Sequence, residues 1–83
     1  MKKILYFSAQ WCGPCKALGP IMDNLKIEGL PINKIDVDSD PIISANYSIK
    51  SIPTLVLVDN SGRELKRLQG SKSSDEIKNW FNN

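Results

Sequence analysis

The sequence predicts an α/β fold: a four-stranded mixed sheet with three helices in the order β-α-β-α-β-β-α. Three observations carry that prediction. A continuous apolar run, Ile4-Leu5-Tyr6-Phe7, leads directly into a segment with helical apolar spacing. Near the other end, Thr54–Val58 and Glu64–Gln69 flank the turn cluster Asp59-Asn60-Ser61-Gly62, the pattern of a hairpin. Ser73 and Glu76 then stand at capping-box spacing ahead of a last amphipathic segment.

Lys3 to Ala9 reads as a central strand, because its apolar run suits a strand covered on both faces. Gly13 and Pro14 open a helix, since a proline in the first turn leaves no intrahelical partner unsatisfied. Ala17, Leu18, Ile21, Met22 and Leu25 recur at helical spacing, so the helix is expected from Gly13 to Glu28, kinked at Pro20 and ended by Gly29. Ile32 to Val37 is a second strand. Ile32, Lys34 and Asp36 point to one side and Asn33, Ile35 and Val37 to the other, a mixed character that fits an edge. Asp40 is expected to cap a short helix begun by Pro41, with Ile42, Ile43, Ala45 and Tyr47 as its packing face and its end near Ser48. The hairpin follows, Gly70 breaks it, and the last helix carries Ile77, Trp80 and Phe81 on one face. The first two strands, joined through a helix, are expected to be parallel with a right-handed crossover. The hairpin adds antiparallel strands on the other side of the first strand, which is therefore central.

Composition bounds the function. The 83 residues read as one domain, 1–83, with a small core whose net stabilisation is roughly 3–5 kcal/mol. A hydrophobic fraction of 41% and a net charge of +2, with lysines scattered rather than clustered, describe an ordinary globular chain and do not suggest nucleic-acid binding. The apolar run after Met1-Lys2-Lys3 stops after four residues with no cleavage site behind it, and nothing approaches the roughly 20 residues of a membrane span. A cytoplasmic protein is expected, where a close cysteine pair is catalytic or metal-binding rather than structural.

The chemistry gathers in Trp11-Cys12-Gly13-Pro14-Cys15-Lys16, which holds both cysteines. A thiolate attacks a disulfide, and an ordinary thiol with a pKa of about 8.5 is only slightly ionised at neutral pH. The unpaired N–H groups and dipole at a helix N-terminus stabilise the anion. Cys12 falls just before the first helical turn and is the candidate nucleophile. Cys15, one turn in on nearly the same face, is the candidate resolving thiol, and Gly13 and Pro14 shape the turn between them. Two further readings of the pair are a buried couple of small residues and a metal site. Zinc needs four ligands, and with two cysteines and no histidine only two chains sharing one ion could supply them.

Trp-Cys-Gly-Pro-Cys-Lys after an apolar strand resembles the active site of the thioredoxin family. Pro20, the Asp38-to-Pro41 stretch, Ile52-Pro53-Thr54, Gly62 and Gly70 extend the resemblance over most of the chain, with one extra residue between Pro53 and Gly62. It implies a minimal thioredoxin fold and a protein-disulfide reductase cycling through a Cys12–Cys15 disulfide, with no bound cofactor. It also implies that Pro53 is cis and that Trp11, Val37, Ile52, Pro53 and Gly70 form a rim for an extended substrate segment. The partners implied are protein disulfides and, as electron donor, a thioredoxin reductase or the glutathione system, acting on a monomer.

Three departures qualify the resemblance. The first strand and helix of a full-length thioredoxin are missing, which gives a frame of glutaredoxin size. Ser8 replaces a tryptophan. Tyr6 stands where thioredoxins carry a buried aspartate that moves the resolving cysteine's proton, and a phenol with a pKa near 10 is no base at neutral pH. Tyr6 is read as a core residue, Lys16 as an exposed helix lysine, and Lys34 and Asp36 as a proton relay or a solvated strand face. Two alternatives to the reductase remain: a glutathione-dependent, glutaredoxin-like enzyme, and a binding module with incidental redox chemistry.

Overall fold

In a computed structural model that describes residues 1–83, seven elements follow one another. They are β1 (Lys3–Ser8), α1 (Gly13–Ile27), β2 (Ile32–Asp36), α2 (Pro41–Asn46), β3 (Thr54–Val58), β4 (Glu64–Gln69) and α3 (Ser74–Asn82). The strands lie in the order β2-β1-β3-β4. β1 pairs parallel with β2 and antiparallel with β3, and β3 and β4 form the antiparallel hairpin. This is the architecture expected from the sequence, with β2 at an edge.

The alternation of side chains along β1 builds two core layers. Ile4 and Tyr6 join Leu18, Met22 and Leu25 of α1, Ile32, Leu55, Leu57 and Ile77 on one face of the sheet. Leu5 and Phe7 join Ile35, Val56 and Val58 on the other, against which Ile43 and Tyr47 pack. The parallel register sets Tyr6 beside Lys34 and Ser8 beside Asp36, so these four side chains share the α1 face.

α1 runs through Pro20 to Ile27, with Glu28 as its C-cap, one residue short of the expected end. Pro20 removes the hydrogen bond that its position would otherwise make to the Lys16 carbonyl. The helix closes in a Schellman arrangement: Gly29, at φ 111°, donates to the Lys26 carbonyl and Leu30 to that of Leu25. Ala17 is exposed rather than packed, because Leu18, Met22 and Leu25 already fill the buried stripe. β2 ends at Asp36, but the Val37 N–H still donates to the Ser8 carbonyl at 2.9 Å, so pairing continues beyond the strand.

α2 differs most from expectation. It ends at Asn46, not near Ser48, where the backbone turns left-handed at φ 52°. Asp40 caps it only by position. Its side chain makes no cap bond, and its carbonyl instead accepts from the Ser44 N–H at 3.3 Å and the Ser44 hydroxyl at 3.1 Å. Ile43 and Tyr47, four apart, face the sheet. Ile42 is 77% exposed and Ala45 is exposed, while Ser44 is buried.

The hairpin turn is held by Asp59, whose Oδ1 accepts from the Ser61 N–H, the Ser61 hydroxyl and the Arg63 N–H. These bonds, the Ser61 hydroxyl first, hold its carboxyl below the usual range. α3 begins in a complete capping box: Ser73 Oγ accepts the Glu76 N–H and Glu76 Oε1 accepts the Ser73 N–H, both at 3.2 Å. Ser73→Ala is expected to cost about 1 kcal/mol of folding stability, read from the urea midpoint. An unchanged midpoint would mean that packing of Ile77, and not the cap, fixes this helix.

Candidate active site

The C-terminal end of β1 delivers the cysteines. Cys12 follows a tight return in which its N–H donates to the Ala9 carbonyl at 3.3 Å. It is the N-cap of α1, with extended backbone, and Pro14 stands in the first turn. Its sulfur takes the place of a capping oxygen, accepting the Cys15 N–H at 3.2 Å. Cys12 and Cys15 are joined as a disulfide. Each is 5% exposed, and they form with Ala9 a small cluster against which Val37 and Ile52 pack. Gly13 and Pro14 are exposed on the outer side of the turn. Nothing lies within 4 Å of where a Cβ on Gly13 would stand, so crowding does not require a glycine there.

Around the cysteines the structure assembles a rim. Trp11 is 68% exposed, and its ring is held by an Nε1–H bond to Asp38 Oδ2 at 2.9 Å. The Asp38 N–H in turn donates to Asp36 Oδ1 at 2.8 Å. Trp11, Val37, Ile49 and Ile52 line a groove of about 380 Å³ with Lys50 at its edge. The Ile52–Pro53 peptide bond is cis. Cys12 Sγ lies 3.8 Å from the Ile52 carbonyl oxygen. In the disulfide this is a contact only, since the sulfur carries no proton. Gly70, at φ 87°, donates its N–H to the Pro53 carbonyl at 2.9 Å. Trp11, Val37 and Ile52 thus share one groove beside the cysteines, Pro53 follows Ile52 in the chain, and Gly70 is tied to Pro53. The role of Asp38 in fixing the indole was not read from the sequence, because the two residues lie 27 apart and nothing local links them.

On the opposite side, α1 and β2 enclose a cleft of about 350 Å³. Cys15, Lys16 and Asp23 line it from α1, Tyr6 and Ser8 from β1, and Lys34 and Asp36 from β2. Lys34 and Asp36 therefore do reach the neighbourhood of Cys15. Asp23 joins them, although nothing near it in the sequence marks it for the site. Tyr6 is 2% exposed and belongs to the core, yet its hydroxyl donates to the Cys15 carbonyl at 3.3 Å. Burial pushes its phenol pKa up; a hydrogen bond with Ser8 opposes this and the nearby Asp23 charge adds to it.

Comparison with known proteins agrees with this geometry. The thioredoxin family model matches residues 1–83. A thioredoxin of Chlamydia trachomatis is 44% identical over 77 residues, which cover 89% of this chain and 74% of the relative. Among solved structures, a mutant thioredoxin from Halobacterium salinarum superposes with a TM-score of 0.87 at 31% identity, covering 96% of this chain and 71% of that one. Fasciola hepatica thioredoxin gives 0.85 at 30% identity, covering 98% and 78%. No helix here is long and apolar enough to cross a membrane.

Proposed function

This chain belongs to the thioredoxin family and is a thiol–disulfide oxidoreductase acting on protein disulfides, and from that premise we propose that Cys12 is its nucleophile and Cys15 its resolving thiol. The observation that carries the assignment is the capping role of the Cys12 sulfur, which accepts the Cys15 N–H at the start of α1. Negative charge on that sulfur is stabilised by the same donor and by the helix dipole. Cys12 attacks one sulfur of a substrate disulfide and the other sulfur leaves. Cys15 then attacks Cys12 Sγ, releasing the reduced substrate and leaving the Cys12–Cys15 disulfide.

The substrate segment lies in extended form along Trp11, Val37, Ile52, Pro53 and Gly70, with the backbone at Ile52 offered for pairing. Trp11 is the anchor, because the bond to Asp38 fixes its ring before substrate arrives. Gly13 and Pro14 set the turn that spaces the two sulfurs. Lys34 and Asp36, in the cleft with Cys15, carry the proton path of the resolving step. Residues 1–83 act as one monomeric domain, in the reducing cytoplasm where a dithiol is regenerated.

The electron donor is assigned to a thioredoxin reductase rather than to glutathione, on the Gly-Pro between the cysteines. Supplied with thioredoxin reductase and NADPH, the protein is expected to sustain insulin reduction over many turnovers. Supplied with glutathione and its reductase, it is expected to be at least several-fold slower. The opposite order would make it a glutaredoxin-like enzyme in function.

A further inference from the structure

We infer that the resolving thiol of this chain passes its proton outward, through the cleft between α1 and β2, to Asp36 or to a small base dissolved there. In this arrangement Tyr6 is a positioning residue that holds Cys15 and closes the inward route. The inference rests on Cys15 being the resolver.

The inward side offers no acceptor. The buried polar residues are Ser8, Ser44 and Thr54, and no carboxylate is among the buried residues. Tyr6, which walls the cleft beside Cys15, has its single hydroxyl proton committed to the Cys15 backbone carbonyl. Burial keeps that phenol protonated, so it cannot serve as a base. Behind Tyr6 the core is apolar, with Ile4, Leu18 and Leu55.

The outward side is different. The cleft beside Cys15 carries charged groups from both elements that wall it: Lys16 and Asp23 on α1, Lys34 and Asp36 on β2. None of the four is in a salt bridge, since the two ion pairs of the chain are Arg67–Glu64 and Lys78–Glu28. Asp36 is the carboxylate at the end of β2, paired in register with Ser8. One of its oxygens accepts from Asp38, which fixes the side chain and leaves the other oxygen for water. In the resolving step the Cys15 thiol gives its proton through water to Asp36. The thiolate attacks Cys12 Sγ, the Cys12–Cys15 bond forms, and the bond from Cys12 to the substrate sulfur breaks. The substrate leaves as a thiolate and takes a proton from solvent, while Asp36 returns its own to solvent.

An aromatic disulfide that releases a coloured thiolate separates the steps in one trace. The first equivalent reports attack by Cys12 and the second reports resolution by Cys15. At fixed pH and ionic strength, the second phase is expected to accelerate with added imidazole, which enters the open cleft as a substitute base. Asp36→Asn is expected to slow the second phase about tenfold, below the roughly 10²–10⁴-fold of a base in direct contact. Imidazole is expected to restore it. Tyr6→Phe is expected to slow the second phase several-fold at every pH, with the imidazole response kept. A second phase indifferent to imidazole, or equally fast in Asp36→Asn, overturns the inference. A second phase that survives Cys15→Ser instead overturns the assignment of the resolver and leaves the cleft out of the question.

Discussion

Cys12→Ser is expected to reduce the catalysed reduction of insulin by dithiothreitol to the uncatalysed rate, whereas Cys15→Ser is expected to arrest the reaction with substrate attached. The two side chains are equally buried and lie three residues apart, so a purely structural disulfide would make the two serines equivalent. The site is not symmetric. Cys12 is the N-cap, outside the helix, and its sulfur receives an N–H from the helix's first turn. Cys15 is inside the helix, with its carbonyl tied to Tyr6. The charge-stabilising groups therefore converge on Cys12. A serine hydroxyl there does not ionise at neutral pH, and the one thiol left, Cys15, lies inside the helix rather than at its N-cap, where the charge-stabilising groups converge. With Cys15→Ser the first attack still occurs and the mixed disulfide has no second thiol within the protein to resolve it, so the adduct is sought with dithiothreitol left out. The test is a pair of assays: the insulin rate, and the covalent adduct seen by mass spectrometry. Equal loss in both variants without an adduct in Cys15→Ser would remove the division of labour between the two sulfurs.

The parts of this site that were legible in the sequence are those fixed by neighbours in the chain. The run Ile4–Phe7 announces a strand covered on both faces, and it is covered on both. The cysteines announce a helix terminus because Gly13 and Pro14 follow the first of them. Ser73 and Glu76, three apart, announce a capping box, and it forms complete. The parts that were not legible depend on packing between distant segments. Nothing near Trp11 says that Asp38 will hold its ring, and nothing near Asp23 says that it will share a cleft with Asp36. α2 shows the same limit. Four apolar residues suggested its packing face, but a helix of six residues offers only one narrow stripe to the sheet. Ile43 and Tyr47 occupy it, and Ile42 is left in solvent. Tyr6 is the mixed case. Its hydrophobic context gave its burial correctly, while its contact with the Cys15 carbonyl follows only from how α1 lies across β1.

Phe7→Ala is expected to be the most destabilising single truncation on the α2 side of the sheet, at about 3–5 kcal/mol. Phe7 is fully buried, and its ring lies 6.0 Å from that of Tyr47, tilted at 55°. The layer around it is thin. It holds Leu5, Ile35, Val56 and Val58, roofed by the short α2 and the loop that follows. The opposite layer has two longer helices and nine buried residues to share the loss of any one side chain, whereas this layer has five. Tyr47 cannot readily swing into the cavity, because its hydroxyl donates to the Gly62 carbonyl and its own carbonyl accepts from Arg67. The cavity should therefore stay open, which places the cost near the top of the range for such truncations. A domain of this size has roughly 3–5 kcal/mol to lose, so the variant is expected to be largely unfolded at 37 °C, with its urea midpoint near zero. Ile42→Ala, on the same helix but exposed, is expected to stay within about 0.5 kcal/mol of the parent. The consequence reaches the site, since Val37 and Ile52 pack both on this layer and against Cys12 and Cys15. Any Phe7→Ala protein that remains folded should therefore react with bulky protein disulfides less well than with a small aromatic disulfide. A folding stability lowered by less than about 1 kcal/mol would instead mean that the α2 layer repacks, and that the rim does not depend on it.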